Sequence, residues 1–473
     1  MFINDAHING LLADAGKPAN ADVERILAKG AKKQGLALDD VAGLLNAAGP
    51  EHTERLFKTA ARIKQDIYGE RLVMFAPLYV SDHCVNDCAY CNFHMTNAAH
   101  ARRKLSMNEV AEETKCLIGM GHKRVLIEFG EEPDINNIDY ICDTIKAIYS
   151  AKTPKGNIRR VNVNIAATTV ENYRRLKAEN IGTYQLFQET YHRATYEALH
   201  KGPKGDYGRQ LTAHARAREA GLDDLGIGAL FGLYDWRFEV LSLVAHAEYM
   251  SKNLGIGPHT ISVPRFRPAP GISYQPAHPV SDDDFLKLIA ILRIAVPYTG
   301  MILSTREPAE LRRRAFQLGI SQASAASICT PGGYSQREGV ANFSSRSESQ
   351  AEACYSKNEG QFNIADGRSV DEVISSVIAD GLIPSFCTAC YRVGRTGEAF
   401  MELAKPGEIH KFCRSNAILT FAEYLEDFAD SRTKGQGTRL IERYLAEIDD
   451  QNIRSETVRR LELILSGTRD IYF

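Results

Sequence analysis

The amino-acid sequence predicts an α/β protein built on a (β/α)8 TIM-type barrel, with an N-terminal helical extension and a mostly helical C-terminal part. Three observations predict it. Eight short apolar runs alternate with amphipathic helical segments between about residues 72 and 330, the repeating order that winds a parallel barrel. At 473 residues, 44% of them apolar and 25% charged, the chain can bury one large core with additions at its ends. On either side of the alternating stretch the periodicity is helical only. The expected division is a helical extension over 1–70, the barrel over 71–380 and a C-terminal domain over 381–473.

In chain order, Asn20 reads as the cap of a helix ending at Gly30, and Leu56, Ala60, Ile63 and Ile67 make one apolar helix face that stops at Gly69. No chemistry is visible there, and the segment reads as a packing appendage. The strand candidates are Val73–Val80, Arg124–Phe129, Val161–Ile165, Tyr184–Phe187, Gly226–Leu230, His259–Val263, Met301–Ser304 and Gly319–Ala323. Ser106-Met107-Asn108-Glu109 is a capping box opening a helix that stops at Gly121, Ser281 opens another before three aspartates, and the charged run Glu310 to Arg314 belongs to a third. Beyond about residue 330 a Gly- and Ser-rich stretch, from Pro331-Gly332-Gly333 through Phe343-Ser344-Ser345, reads as a long irregular connection. A capped helix over Ser369–Ala379 follows. The last ninety or so residues place Leu440, Tyr444 and Leu445, then Val458, Leu461 and Leu465, on apolar helix faces.

A net charge of −2 and a pI near 6.7 supply no basic field for nucleic acid or an anionic membrane. Small molecules or other proteins are the expected partners. The first residues lack the basic start and apolar run of a signal peptide, and no apolar segment approaches membrane-spanning length. A cytoplasmic location is expected, and ten cysteines then point to metal binding rather than to disulfides.

The cysteines fall into two sets. Cys84, Cys88 and Cys91 stand within eight residues, directly after the first strand candidate, where a barrel carries its chemistry. Such a loop can wrap three sulfurs round one centre, and thiolates favour zinc or iron–sulfur clusters. Closed zinc sites want four protein donors, so the zinc reading recruits His83 or His94. The iron–sulfur reading leaves one iron of a [4Fe–4S] cube without a protein ligand, open to a small chelator. Cys387 and Cys390, with Cys413 after twenty-two further residues, form the second set, again without a fourth cysteine. A lone CxxC can also be a zinc or redox site. Of the others, Cys116 and Cys142 read as buried helix residues, Cys354 has no ligand spacing, and Cys329 beside the Pro-Gly-Gly turn is retained as a candidate.

Cys84-x-x-x-Cys88-x-x-Cys91, with Tyr90 before the last cysteine, resembles the signature of the radical S-adenosylmethionine (SAM) superfamily. That resemblance implies a barrel of the radical SAM class, a [4Fe–4S] cluster binding SAM through its open iron, and cleavage of SAM to a 5′-deoxyadenosyl radical. The motifs Gln188-Glu189-Thr190-Tyr191-His192, Gly226 to Leu233 and Leu303-Ser304-Thr305-Arg306-Glu307 are similar to those of the aromatic amino-acid lyases of the superfamily. Phe386 to Arg392, Gly394-Arg395-Thr396-Gly397 and the CxxC-x22-C spacing are similar to the hydrogenase-maturing tyrosine lyases. The thiamin-pathway tyrosine lyases share the barrel and lack the second cysteine set.

The resemblance implies cleavage of the Cα–Cβ bond of L-tyrosine to p-cresol and dehydroglycine, conversion of the latter to CO and cyanide, and their assembly on a labile iron of a second [4Fe–4S] cluster. A free cysteine as ligand of that iron, an electron donor and hydrogenase maturation scaffold proteins are the implied partners. Residue by residue, Cys84, Cys88 and Cys91 hold the SAM cluster, and Cys387, Cys390 and Cys413 the second. Tyr90 lies against the adenine, Gly130 and Glu131 contact the SAM amino group, Glu189 bonds the ribose or is a structural carboxylate, and Arg209 is a weaker candidate for the SAM carboxylate. Arg306, helped by Ser304, grips the substrate carboxylate in two bonds. His259 is either a core histidine or the ligand of the labile iron. A lyase stopping at dehydroglycine, and a zinc-binding scaffold without activity, are the alternatives.

Overall fold

The computed structural model describes residues 1–269, 271–338 and 360–473. Cys354 and the Phe343-Ser344-Ser345 stretch lie outside the described residues. Eight strands close into a parallel barrel: β1 (Arg71–Ser81), β2 (Arg124–Phe129), β3 (Arg160–Asn164), β4 (Tyr184–Gln185), β5 (Leu225–Gly228), β6 (Thr260–Ser262), β7 (Gly300–Leu303) and β8 (Gln322–Ser324). Val73, Met74 and Phe75 of β1 register with Gln322, Ala323 and Ser324 of β8 and shut the ring. All eight strand candidates are present, with ends shifted by a few residues.

The strands are apolar on the face turned toward the surrounding helices, as parallel strands covered by helices are. Leu72, Met74, Val125, Ile127, Val161, Val163, Ile261 and Met301 are all buried there. The lumen is different. Many barrels fill it with bulky branched side chains, whereas Arg124, Asn162, Gln185, Thr260, Ser262, Gln322 and Ser324 occupy these strands between the apolar positions. Glycines leave room for them: a Cβ on Gly226 would stand 2.4 Å from Thr260 Oγ1, and one on Gly300 2.6 Å from Gln322 Nε2. Such a lumen holds space and hydrogen-bonding groups instead of a solid core.

Before β1 come four helices, Asp5–Asp14, Asn20–Gly30, Leu38–Asn46 and Pro50–Tyr68. The last buries Leu56, Ala60, Ile63 and Ile67 against the barrel helix Asp282–Ala295 and ends at Gly69. Asn20 is the first helical residue rather than the cap, because Ala19 takes the capping position without a side-chain bond. Ser106 and Ser369 form full capping boxes, and Ser281 caps its helix through Asp284 N–H. Cys116 and Cys142 are buried in the helices Met107–Gly119 and Ile138–Ser150.

A ninth strand, β9 (Ile383–Ser385), runs parallel to β1 with Val73 opposite Ser385. Val73 also registers with Gln322 of β8, so β9 lies on the other flank of β1, beneath the start of β2. It lies just past the boundary expected at 380, joins the barrel sheet, and carries the chain under the barrel into the one-turn helix Ala389–Arg392 and the long helix Ile409–Asp427. That helix is buried over most of its length between β9, Ser431–Ala446 and Gln451–Leu465. One expected face fails. In Gln451–Leu465 it is Thr457 and Ile464 that are buried, while Val458 is 39% and Leu465 60% exposed and Leu461 is partly covered, because the helix meets its neighbour along a line rotated from its apolar stripe. No helix among the described residues is long and apolar enough to cross a membrane.

Candidate active site and second metal centre

The two cysteine sets lie at opposite ends of the lumen, each facing a cavity. At the upper end, where the strands finish, the loop after β1 carries Cys84, Cys88 and Cys91. Backbone bonds pin it to two other loops: Val85 N–H donates to Glu131 O (2.7 Å), Asp87 N–H to Lys201 O (3.2 Å) and Ala89 N–H to Leu199 O (3.1 Å). Asn86 is the hub. Its side-chain amide donates to Glu131 Oε2 (2.7 Å) and toward Cys84 Sγ (3.8 Å), and its Oδ1 accepts from Lys204 N–H (2.8 Å). Gly130 is where β2 comes closest to the loop: a Cβ there would stand 2.3 Å from His83 O.

The thiols are sheltered. Burial pushes the Cys88 thiol well up and that of Cys91 up to about 11, so both stay protonated until a cation compensates the thiolate. The amides of Asn86 and Gln361 stand 3.8 Å from Cys84 and Cys91 sulfurs, donors suited to charged sulfur. Among the described residues no group of three or more His, Cys, Asp and Glu side chains is placed to hold a single metal ion. An open-cornered iron–sulfur cluster fits the donor chemistry better.

Tyr90, Glu189, Ser304 and Arg306 line the upper cavity with Cys91, Glu128, Gln361 and Cys329. Tyr90 OH is 2.7 Å from His200 Nε2. Glu189 sits at φ +69°, in the left-handed region, and its carboxylate pairs with Lys204 Nζ at 2.7 Å. Arg306 stacks on Phe362, 3.4 Å from the ring centroid. Gly130, Glu131 and Arg209 instead line an adjoining cavity. There Arg209 is paired with Glu131 at 2.5 Å and with the Ala167 carbonyl. Cys329, buried against Tyr79 and Phe93, has its thiol pushed up to about 12, chiefly by burial.

At the lower end, Cys387 leaves β9, Cys390 follows one turn later and Cys413 projects from Ile409–Asp427, lining one cavity with Arg71, Arg124, His259, Gln322 and Asn416. Burial first, then Arg124 and Arg71, drives His259 down to about 3, so its ring is neutral and can ligate metal. Asp224 Oδ1 stands 3.4 Å from His259 Nδ1 and accepts from Thr183 Oγ1 at 3.0 Å. Arg124 donates to Gln322 Oε1 (3.1 Å) and Cys387 O (2.7 Å). Sequence reasoning missed Asn86, Lys204, Glu128, Gln361, Asp224, Arg71 and Arg124. The strand positions of Glu128 and Arg124, charged residues inside apolar runs, were the available signal.

A parallel barrel with a CxxxCxxC loop after its first strand defines an enzyme of the radical SAM class, whose cofactors are a [4Fe–4S] cluster and SAM. The Radical SAM superfamily model matches residues 78–242, and that of the Biotin and Thiamin Synthesis associated domain matches 262–383. A crystal structure of HydG, a maturase of the [FeFe]-hydrogenase, superposes with a TM-score of 0.93 at 49% identity over 100% of both chains. HydG from Carboxydothermus hydrogenoformans gives 0.82 at 39% identity over 97% of each. The 2-iminoacetate synthase of Salmonella typhimurium is 31% identical over 374 residues, 78% of this chain and 90% of its own. The chain belongs to the HydG family of [FeFe]-hydrogenase maturases, and it is a radical SAM lyase.

Proposed function

We propose that the upper site cleaves the Cα–Cβ bond of L-tyrosine to p-cresol and dehydroglycine, and that the lower site collects the derived CO and cyanide on a labile iron for the hydrogenase active site. One observation carries this reading: inward residues two apart on the same strands line both cavities. Val73, Arg124, Gly300 and Gln322 border the lower cavity, and Phe75, Leu126, Ile302 and Ser324 the upper. A fragment released above needs to pass only that stack of side chains to reach the sulfurs below.

When bound, SAM and its cluster supply the 5′-deoxyadenosyl radical. Cys84, Cys88 and Cys91 hold that cluster. The enclosed cavity keeps a primary radical from water. Tyr90 borders the adenine, Glu131 and Gly130 the SAM amino group, Glu189 the ribose and Arg209 the SAM carboxylate. For Glu189 and Arg209 this requires release from Lys204 and Glu131. Arg306, without an ion-pair partner among the described residues and braced by Phe362, takes the substrate carboxylate in two bonds with Ser304 beside it, and so fixes the amino group toward the radical carbon.

Below, Cys387, Cys390 and Cys413 hold the second [4Fe–4S] cluster and His259 the extra iron. A free cysteine completes that iron's coordination. An electron donor and the hydrogenase scaffold proteins are the macromolecular partners. The 2-iminoacetate synthase likeness favours a second reading, a lyase that stops at dehydroglycine. The two part in one experiment. Anaerobically reconstituted protein given tyrosine, SAM and dithionite yields p-cresol, cyanide and CO. The double variant Cys387→Ala/Cys390→Ala keeps p-cresol within about threefold and loses CO. CO at the native rate from that variant sinks the lower-site role, and dehydroglycine as the wild-type end product establishes the second reading.

A further inference from the structure

Of the three Glu and Arg side chains that line the upper cavity, two have no ion-pair partner among the described residues. One is Arg306, on the segment after β7. The other is Glu128, on β2, opposite Asn164 of β3 in the strand register. Around the ring β2 and β7 are separated by β1 and β8 on the short side and by four strands on the other, so the two groups face each other across the lumen. They sense each other's charge without meeting. The ring of Phe75 and the side chains of Leu126 and Ile302 make a separate apolar cluster on the cavity wall. A ligand matching this cavity has a carboxylate at one end, a flat apolar middle and a hydrogen-bonding group at the far end.

We propose that Glu128 determines specificity by hydrogen-bonding the phenol hydroxyl of an aromatic amino acid whose carboxylate rests on Arg306. The proposal rests on the tyrosine-lyase reading and adds what selects tyrosine. Burial pushes the Glu128 carboxyl up to about 8, so at neutral pH it is chiefly the neutral acid, able both to donate to a hydroxyl and to accept from it. The α-ammonium is the competing target. It shares a carbon with the carboxylate and so stays at the Arg306 end, across the lumen from Glu128. A site that bonds a hydroxyl discriminates strongly against the analogue lacking it, because its own buried polar groups are then left unpaired.

The test uses the reconstituted full-length holoenzyme. The KM for tyrosine is read from p-cresol formation, and the inhibition constant of L-phenylalanine from competition in the same assay. Wild type is expected to prefer tyrosine by about 100-fold or more. In Glu128→Leu the preference falls below about 10-fold, through a higher tyrosine KM while phenylalanine holds or tightens. Glu128→Gln, which still offers a donor and an acceptor, keeps most of it. Iron content and substrate-free SAM cleavage at wild-type levels show that each variant is folded and loaded. Equal weakening of both amino acids in Glu128→Leu assigns Glu128 to the ammonium and overturns the proposal, as does an unchanged ratio. Wild type that makes p-cresol but binds phenylalanine within about threefold of tyrosine also overturns it, with no variant needed. Wild type that makes no p-cresol overturns the tyrosine reading itself.

Discussion

The two ends of the lumen are built by different rules. At the upper end nearly every polar group around the cysteine loop already has an internal partner: Asn86 with Glu131, Lys204 with Glu189, Arg209 with Glu131, Tyr90 with His200. At the lower end the cations are left open. Among the described residues neither Arg71 nor Arg124 makes an ion pair: Arg124 donates to an amide and a carbonyl oxygen and lies over the Tyr391 ring. Unpaired buried guanidinium groups beside three thiols await an anion, and three thiolates on a cluster are one. The upper site draws on the barrel's own loops, at the strand ends where such barrels hold their chemistry. The lower face ordinarily serves stability, and it becomes a site only because β9 inserts a later segment beneath β2. Internal pairs that open to admit a ligand suit a cofactor that is bound and consumed; open charges would suit the cluster proposed at the lower end.

The harshest way to break the comparison is Cys88→Ser, which removes one sulfur from the upper trio and leaves the lower untouched. Tyrosine cleavage falls by about 10⁴-fold or more, the bulk of a catalysed rate. One iron–sulfur resonance survives on reduction, measured by electron paramagnetic resonance, and it no longer responds to SAM. Loss of both resonances together would show that the two ends do not assemble independently.

How legible each end was follows the same division. The eight strands and the upper loop were readable because each is a local pattern: an apolar run such as Arg124–Phe129, then three sulfurs at close spacing. The lower site was readable only as cysteines and a histidine. β9 escaped, since Ile383–Ser385 is three residues long with a proline at its centre, too short for a period. The partners Lys204, Asp224 and Arg71 are far in sequence from what they face, and nothing local marks them. The charged run Glu310 to Arg314 marks a helix but not its packing: Arg312 within it is wholly buried against Asp366. The stripe at Val458, Leu461 and Leu465 was a genuine helical period whose orientation only tertiary packing decides.

That buried pair offers a milder contrast between the ends. Asp366 holds Arg312 and, at 2.7 Å, Arg368, just after the segment that brings Gln361 and Phe362 to the upper cavity. Asp366→Ala leaves Arg312 charged and unpaired in the core, costing about 3–5 kcal/mol by equilibrium unfolding. Near the lower end Lys411, on the helix that carries Cys413, meets Glu408 with both side chains half in solvent. Lys411→Ala costs about 0–1 kcal/mol. Comparable losses at the two sites would contradict the difference in burial.

The finest test is acid, because each end buries a neutral histidine. His200 at the upper end is held down to about 4, by burial and then Lys204, and His259 at the lower end to about 3. Both folded values lie below the ordinary 6.5 of the unfolded chain. Below that pH the unfolded chain takes up protons that the folded protein refuses, so the contribution is complete above about 6.5 and is lost as pH falls. Each histidine then removes about 1.4 kcal/mol per pH unit until its folded value is reached. For His200 the loss ends near pH 4; for His259 it continues to about 3. Urea midpoints of the apoprotein from pH 7 to 4 should therefore fall, and His259→Asn and His200→Asn should each make that fall shallower. An unchanged slope in His259→Asn would mean that the lower-end ring is not held neutral, and with it would go the reason for a metal to find an open imidazole there.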